Sequence, residues 1–158
     1  MNTTVRFLLC SLLAGFLASC QTPLPEGIQS ARIAMNDEIR NEPPGDYFIG
    51  RRYYKQDYKF WGYIRSPGQP WSTAKLVMLN EQTKLAPDRE IGKLGSDNNY
   101  EYKLNGNFSG ETVYEPASNG IYPEFVLTGY ELRSVSPSPI FRTPAASDPT
   151  RRVIIRPQ

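Results

Sequence analysis

The chain predicts a small all-β domain, and three observations carry that expectation. Between Tyr47 and Val135 there are five or six short runs rich in aromatic and apolar residues. Several of these alternate with a period of two, as strands do. Gly, Pro and Asn-Gly signals punctuate them at turn-like intervals. The expected fold class is a small antiparallel five- or six-stranded barrel or sandwich with a short N-terminal helix.

The helix comes first. Ile28, Ala31, Met35 and Ile39 recur at three- and four-residue spacing, which makes one apolar stripe. Pro43-Pro44 forbids its continuation. Residues 20–45 therefore read as a tether with one short helix packed on the domain. Asp37, Glu38 and Glu42 argue against a helix lying on an anionic membrane.

Residues 46–135 read as the β domain. Tyr47–Tyr54 and Tyr58–Ile64 form two aromatic strands, with Lys55-Gln56-Asp57 as a short hairpin loop. Ser66–Pro70 is a loop, and Trp71–Leu79 a third strand. Asn80–Asn99 reads as a long surface loop with one turn of helix. Tyr100, Tyr102 and Leu104 take one face of a fourth run, and Asn105-Gly106 predicts a hairpin turn after it. Glu111–Glu115 follows, Asn119-Gly120 marks another turn, and Glu124–Val135 is the last strand. A long hairpin, a third strand, a long connection and a returning hairpin resemble the oligonucleotide/oligosaccharide-binding (OB) fold in topology. Residues 136–158 hold five prolines and four arginines. That composition predicts a mostly disordered tail, with Val153-Ile154-Ile155 able to join a sheet edge.

Composition excludes several functions. The chain has 18 basic and 16 acidic residues, so it carries no nucleic-acid-binding charge. Histidine is absent, which removes Ser-His-Asp and Cys-His catalysis and the usual transition-metal sites. No cofactor and no catalytic activity is expected.

The first residues carry the sharpest signal. Arg6 precedes an apolar stretch, Phe7–Phe16, which ends in Leu17-Ala18-Ser19-Cys20. A charged start, a short apolar core and small residues at a cut site make a secretory signal. The Cys at the cut makes residues 1–19 resemble a bacterial lipoprotein signal peptide with its lipobox. The resemblance implies cleavage before Cys20 and lipid on its sulfur and amine. It also implies a place on the cell envelope. Gln21 after the Cys, by the same resemblance, implies the periplasmic face of the outer membrane. Cys10 leaves with the signal, so the mature domain holds no disulfide.

The densest cluster of binding-type residues is the first hairpin. Arg51, Arg52, Tyr54, Trp61, Tyr63 and Arg65 interleave rings and cations. Such a pattern suits an envelope protein or a glycan as partner. It equally suits a strand pair whose rings fill the core and whose cations pair with the acids of Asp97–Glu131. Alternation places Arg52 with Tyr54 on one face and Trp61, Tyr63 and Arg65 on another. Ser72-Thr73-Ala74-Lys75 and Ser96-Asp97-Asn98 resemble motifs of the β-lactamases and penicillin-binding proteins. The Lys-Thr-Gly of that family is missing, and the Ser-x-x-Lys enters a strand-like run rather than a helix. The expected role is binding or scaffolding, with a glycan or peptidoglycan module as the alternative and a small serine hydrolase as the least favoured.

Overall fold

The computed structural model describes residues 26–158. Residues 1–25 lie outside it, and with them the signal segment and Cys20. The helix α1 (Glu26–Arg40) buries Met35 and Ile39 of the expected stripe. Two residues, Asn41 and Glu42, separate its end from Pro43-Pro44.

Five strands follow: β1 (Phe48–Arg52), β2 (Gly62–Arg65), β3 (Lys75–Asn80), β4 (Glu101–Glu115) and β5 (Gly120–Ser134). They close into a barrel in the order β1-β2-β3-β5-β4, with β4 returning to β1. All neighbours are antiparallel except β3 and β5, which run parallel through Met78↔Glu124 and Asn80↔Val126. The fold is thus the small five-stranded β-barrel that the strand pattern implies. A single helical turn, α2 (Pro87–Glu90), lies in the β3–β4 connection. Pro87 opens it, where a missing N–H costs nothing.

One expectation about β4 needs correction. Asn105-Gly106 is not a hairpin turn, because β4 runs unbroken from Glu101 to Glu115. The dipeptide instead marks a bulge, a register shift between Asn105 and Gly106 against β5. Gly106 has φ +148°, and a Cβ there would lie 2.1 Å from the Val126 carbonyl oxygen. Glycine is required here by close approach of β5 rather than by a turn. Asn119 has φ +51°, so the second Asn-Gly does make the β4–β5 turn.

Two cores result. Trp61, Ile64, Val77, Ala86, Tyr102, Leu104, Phe125 and Leu127 fill the barrel interior. A second core lies outside it, where Met35 and Ile39 of α1 meet Ile49, Tyr53, Phe60, Tyr63 and Trp71. Ile140, Phe141 and Ala146 complete that outer core. With both faces covered, every residue of β2 is buried.

The disordered tail is the second correction. Residues 136–158 form a strap across the barrel's outer face. Ile140 is fully buried, and the Phe141 ring packs tilted on Tyr53 and edge-on to Tyr63. The strap makes no strand, so Val153-Ile154-Ile155 joins no sheet edge. Side chains of the barrel hold its carbonyls instead. Lys55 Nζ donates to Ala146 and Asp148 at 2.7 Å each. The hydroxyls of Tyr58, Tyr53 and Tyr63 donate to Arg152, Val153 and Ile155. Composition misleads here because the ordering comes from partners far away in sequence.

Candidate functional site

The first hairpin is not an exposed binding surface. Arg51, Arg52, Trp61, Tyr63 and Arg65 are all buried, none above 4% exposed. Tyr54 is half-buried. The loop between β1 and β2 runs from Tyr53 to Trp61, longer than the three-residue hairpin expected. Its rings and cations serve the outer core, the strap and two ion-pair clusters.

Alternation in β1 sends Arg51 and Arg52 to opposite faces. Arg51 and Arg65 lie over the Trp71 ring, 5.2 and 4.7 Å from its centroid. Glu101 pairs with Arg51 at 2.6 Å and with Arg133 at 3.2 Å. Glu42, at the end of α1, takes Arg65 through both oxygens at 2.6 and 2.7 Å. It also accepts from Arg133 and from the Gly68 N–H. Burial pushes Glu42 up, but these hydrogen bonds outweigh it and hold the carboxyl below its ordinary value. Burial pulls the Arg51 guanidinium down, against the pull of Glu101.

Arg52 enters the other cluster. Its Nη2 meets Asp88 at 2.9 Å, and its Nε lies 3.3 Å from Asp97. Its Nη1 donates to the carbonyls of Phe60 and Trp61, and its guanidinium lies over Tyr54. The expected sharing of a face by Arg52 and Tyr54 holds. Trp61 does not share a face with Tyr63 and Arg65: it lies just outside β2, and its indole enters the barrel interior. Asp97 accepts from the Tyr102 hydroxyl at 3.0 Å. Burial raises Asp97, the more so beside Asp88, despite Arg52.

A cleft of about 540 Å³ opens beside this second cluster. Its walls are Tyr54, Tyr58, Phe60 and Trp61 of the β1–β2 loop, Leu79 of β3, and Asp88 and Leu94 of the β3–β4 connection. Three of its residues hold buried polar atoms with no hydrogen-bond partner: Arg52 Nε, Trp61 Nε1 and Asp88 Oδ1. Asp88 Oδ2 is fully used, by Arg52 and by the Gly95 N–H at 2.8 Å. Gly95 has no alternative residue, since a Cβ would lie 2.4 Å from the Tyr54 ring. Leu94 stands at the rim, 62% exposed. Buried orphan donors and acceptors are rare in folded proteins; Arg51 Nε and Arg65 Nε are orphans elsewhere, but the residues lining this cleft carry orphans of both kinds. A larger hollow of about 860 Å³ lies between α1 and the barrel, but none of its residues carries such an atom.

The hydrolase motif does not assemble. Ser72 and Lys75 line one groove. The Lys75 ammonium lies over the Phe108 ring, 4.8 Å from its centroid. No hydrogen bond joins it to Ser72 among the described residues, so Ser72 has no positioned base. Glu111 and Glu115 do not face a common cleft either. Glu115 is buried and accepts from the Ser118 N–H at 2.7 Å, closing the β4–β5 turn.

Asp88, Asp97 and Glu42 are the residues that sequence reasoning misses. Asp88 lies in the stretch that reads as a surface loop, and Asp97 in the Ser96-Asp97-Asn98 triplet. Their one signal is the excess of cations in the first hairpin, which demands buried counter-charge from elsewhere. Among the described residues no helix is long and apolar enough to cross a membrane. No protein-family model, curated protein or solved structure matches the chain.

Proposed function

We propose that this is a lipid-anchored envelope protein with a non-catalytic binding role. Lipid on Cys20 would hold it to the periplasmic face of the outer membrane, a few residues ahead of α1. The site is the cleft between the β1–β2 loop and the β3–β4 connection, in place of the buried hairpin face. One observation supports this above all: the cleft wall holds a buried donor and a buried acceptor, both without partners. Such groups cost about 1–3 kcal/mol each while unsatisfied, a cost that a bound ligand would remove.

The reading is tested by recovery from native envelopes through a tag after Gln158. The wild-type protein is compared with Leu94→Arg at the cleft rim and Ile121→Arg on the β4–β5 hairpin. Both positions are exposed, at 62% and 69%, so neither change should disturb folding. A partner kept by Ile121→Arg and lost by Leu94→Arg supports the cleft as the site. Equal loss or equal retention overturns it. Cys20→Ser should move the protein out of the membrane fraction.

A further inference from the structure

We propose that the groove now filled by residues 149–158 is a binding site for an extended, proline-containing, cation-led segment of a partner protein. The chain's own C-terminal end is its displaceable occupant. This does not rest on the cleft being a site. Three features set the partner's chemistry, and each is read from the occupant in place. The first is which backbone groups are gripped. The Pro149 carbonyl accepts from the Gln56 N–H at 2.9 Å. The carbonyls of Arg152, Val153 and Ile155 accept from the hydroxyls of Tyr58, Tyr53 and Tyr63, at 3.0, 3.0 and 2.8 Å. Every one of these bonds runs from the barrel to a strap carbonyl. From Pro137 onward no strap N–H donates to the barrel among the described residues. A wall made of donors alone asks for a chain's carbonyls and not for its N–H groups. Proline suits such a wall, since it keeps its carbonyl and has no N–H. Aromatic-lined grooves receive extended proline-bearing segments on the same principle.

Side-chain selection is the second. Asp57 takes the Arg152 guanidinium at 2.7 Å, so the segment opens on a cation. Ile155 packs against the outer core, and Pro157 is buried. The groove therefore favours an aliphatic residue and then a proline downstream of the cation. Val153 and Ile154 are 43% and 40% exposed and add little selection. Ease of release is the third. The front of the strap is fixed, with Ile140, Phe141 and Ala146 buried in the outer core. The rear forms no strand, and Arg151, Arg152 and Arg156 are exposed. Segments held by so few buried groups open before the rest of a fold. The tethered end competes at a high effective concentration, so a partner's affinity is lowered to the fraction of chains that are open.

The probe is a fluorescein-labelled peptide copying residues 148–158, read by anisotropy against the full-length chain in detergent micelles. Arg152→Glu with Ile155→Asp loosens the occupant and leaves the groove's own residues in place. That chain should bind the peptide at least about tenfold more tightly than the wild type does. Thermolysin, which cuts before aliphatic residues, should also cleave it near Val153 at least about tenfold faster. Arg152→Glu alone, at a side chain 75% exposed, carries the same test should the double variant not fold. In the loosened chain, Asp57→Arg should remove peptide binding, and a peptide carrying Arg152→Asp should restore it. Leu94→Arg should leave peptide binding unchanged, which separates this groove from the cleft. Faster cleavage without peptide binding overturns the proposal, as does binding that survives Asp57→Arg or is lost with Leu94→Arg. Cleavage that stays at the wild-type rate makes the segment a fixed part of the fold, and the proposal falls.

Discussion

Arg51 and Arg52 are neighbours in β1, equally buried, and enter two different kinds of ionic cluster. On the outer face, Arg51, Arg65 and Arg133 meet Glu42 and Glu101 around Trp71, and both carboxylates are held by more than one partner. On the inner side, Arg52 is shared between Asp88 and Asp97, and one oxygen of each carboxylate has no hydrogen-bond partner. The outer cluster is built as a clamp. It ties the end of α1 to β2 and β5, and Arg51 reaches the strap at Ser138. Both clusters leave guanidinium Nε atoms without a hydrogen bond, Arg51 and Arg65 outside and Arg52 inside, but carboxylate oxygens are left over in the inner cluster alone.

Breaking the clamp should have the largest effect. Glu42→Ala would leave Arg65 buried with no carboxylate, a change worth about 3–5 kcal/mol. Urea unfolding would measure it, and a loss below about 1 kcal/mol would show that the clamp is ornamental. The pH response sharpens the contrast. The Glu42 carboxyl sits below its ordinary 4.5 in the folded chain, so its stabilisation is complete above that value. As pH falls through the folded value, the unfolded chain binds the extra proton first and stability is lost. Asp97 has the opposite sign. Its raised folded value means that the folded chain takes up the proton first, and stability rises as pH falls through it. Glu42→Gln should therefore flatten the acid loss in urea midpoint, or invert it, over the range where Asp97 titrates.

The same two clusters show how far the sequence is legible. The barrel is readable because strand alternation and turn residues are local, and Tyr102 and Leu104 bury as their spacing requires. The ring-and-cation pattern of the first hairpin is readable too, and so is the choice between a surface and a core with paired cations. What decides that choice is not local. Arg65 is neutralised from 23 positions earlier by Glu42, and Arg52 from 36 positions later by Asp88. The strap is hidden for the same reason. Its own composition gives little reason to fold, yet Lys55 and three tyrosines of the barrel bond its carbonyls. The cleft is least legible of all, since its mark is two missing hydrogen bonds.

A smaller effect is expected within the inner cluster. Tyr102→Phe removes the hydroxyl bonded to Asp97 Oδ2 and keeps the ring that packs on Trp61 and Tyr130. The loss should be about 1–2 kcal/mol by urea unfolding, the value of a hydrogen bond to a charged or partly charged acceptor in a buried site. It should also raise Asp97 less than its burial does, since the hydroxyl is a minor contributor beside burial and Arg52. A loss as large as that of Glu42→Ala would mean that the inner cluster is a second clamp, and the contrast between the two would collapse.

The smallest stability effect should accompany the clearest functional one. Leu94 stands 62% exposed at the cleft rim, and Arg there should change stability by less than about 0.5 kcal/mol. Leu94 lines the cleft, so an Arg in its place puts a cation across an entrance whose charges otherwise cancel. Binding to the envelope partner should fall at least about tenfold while the urea midpoint stays put. A clamp residue behaves in the reverse way, since Glu42 does not line the cleft and its loss acts through folding alone. If Leu94→Arg lowers stability as much as binding, the rim is part of the fold. If it lowers neither, the unpaired indole and carboxylate of the inner cluster are satisfied by water, and the two clusters differ in completeness without differing in purpose.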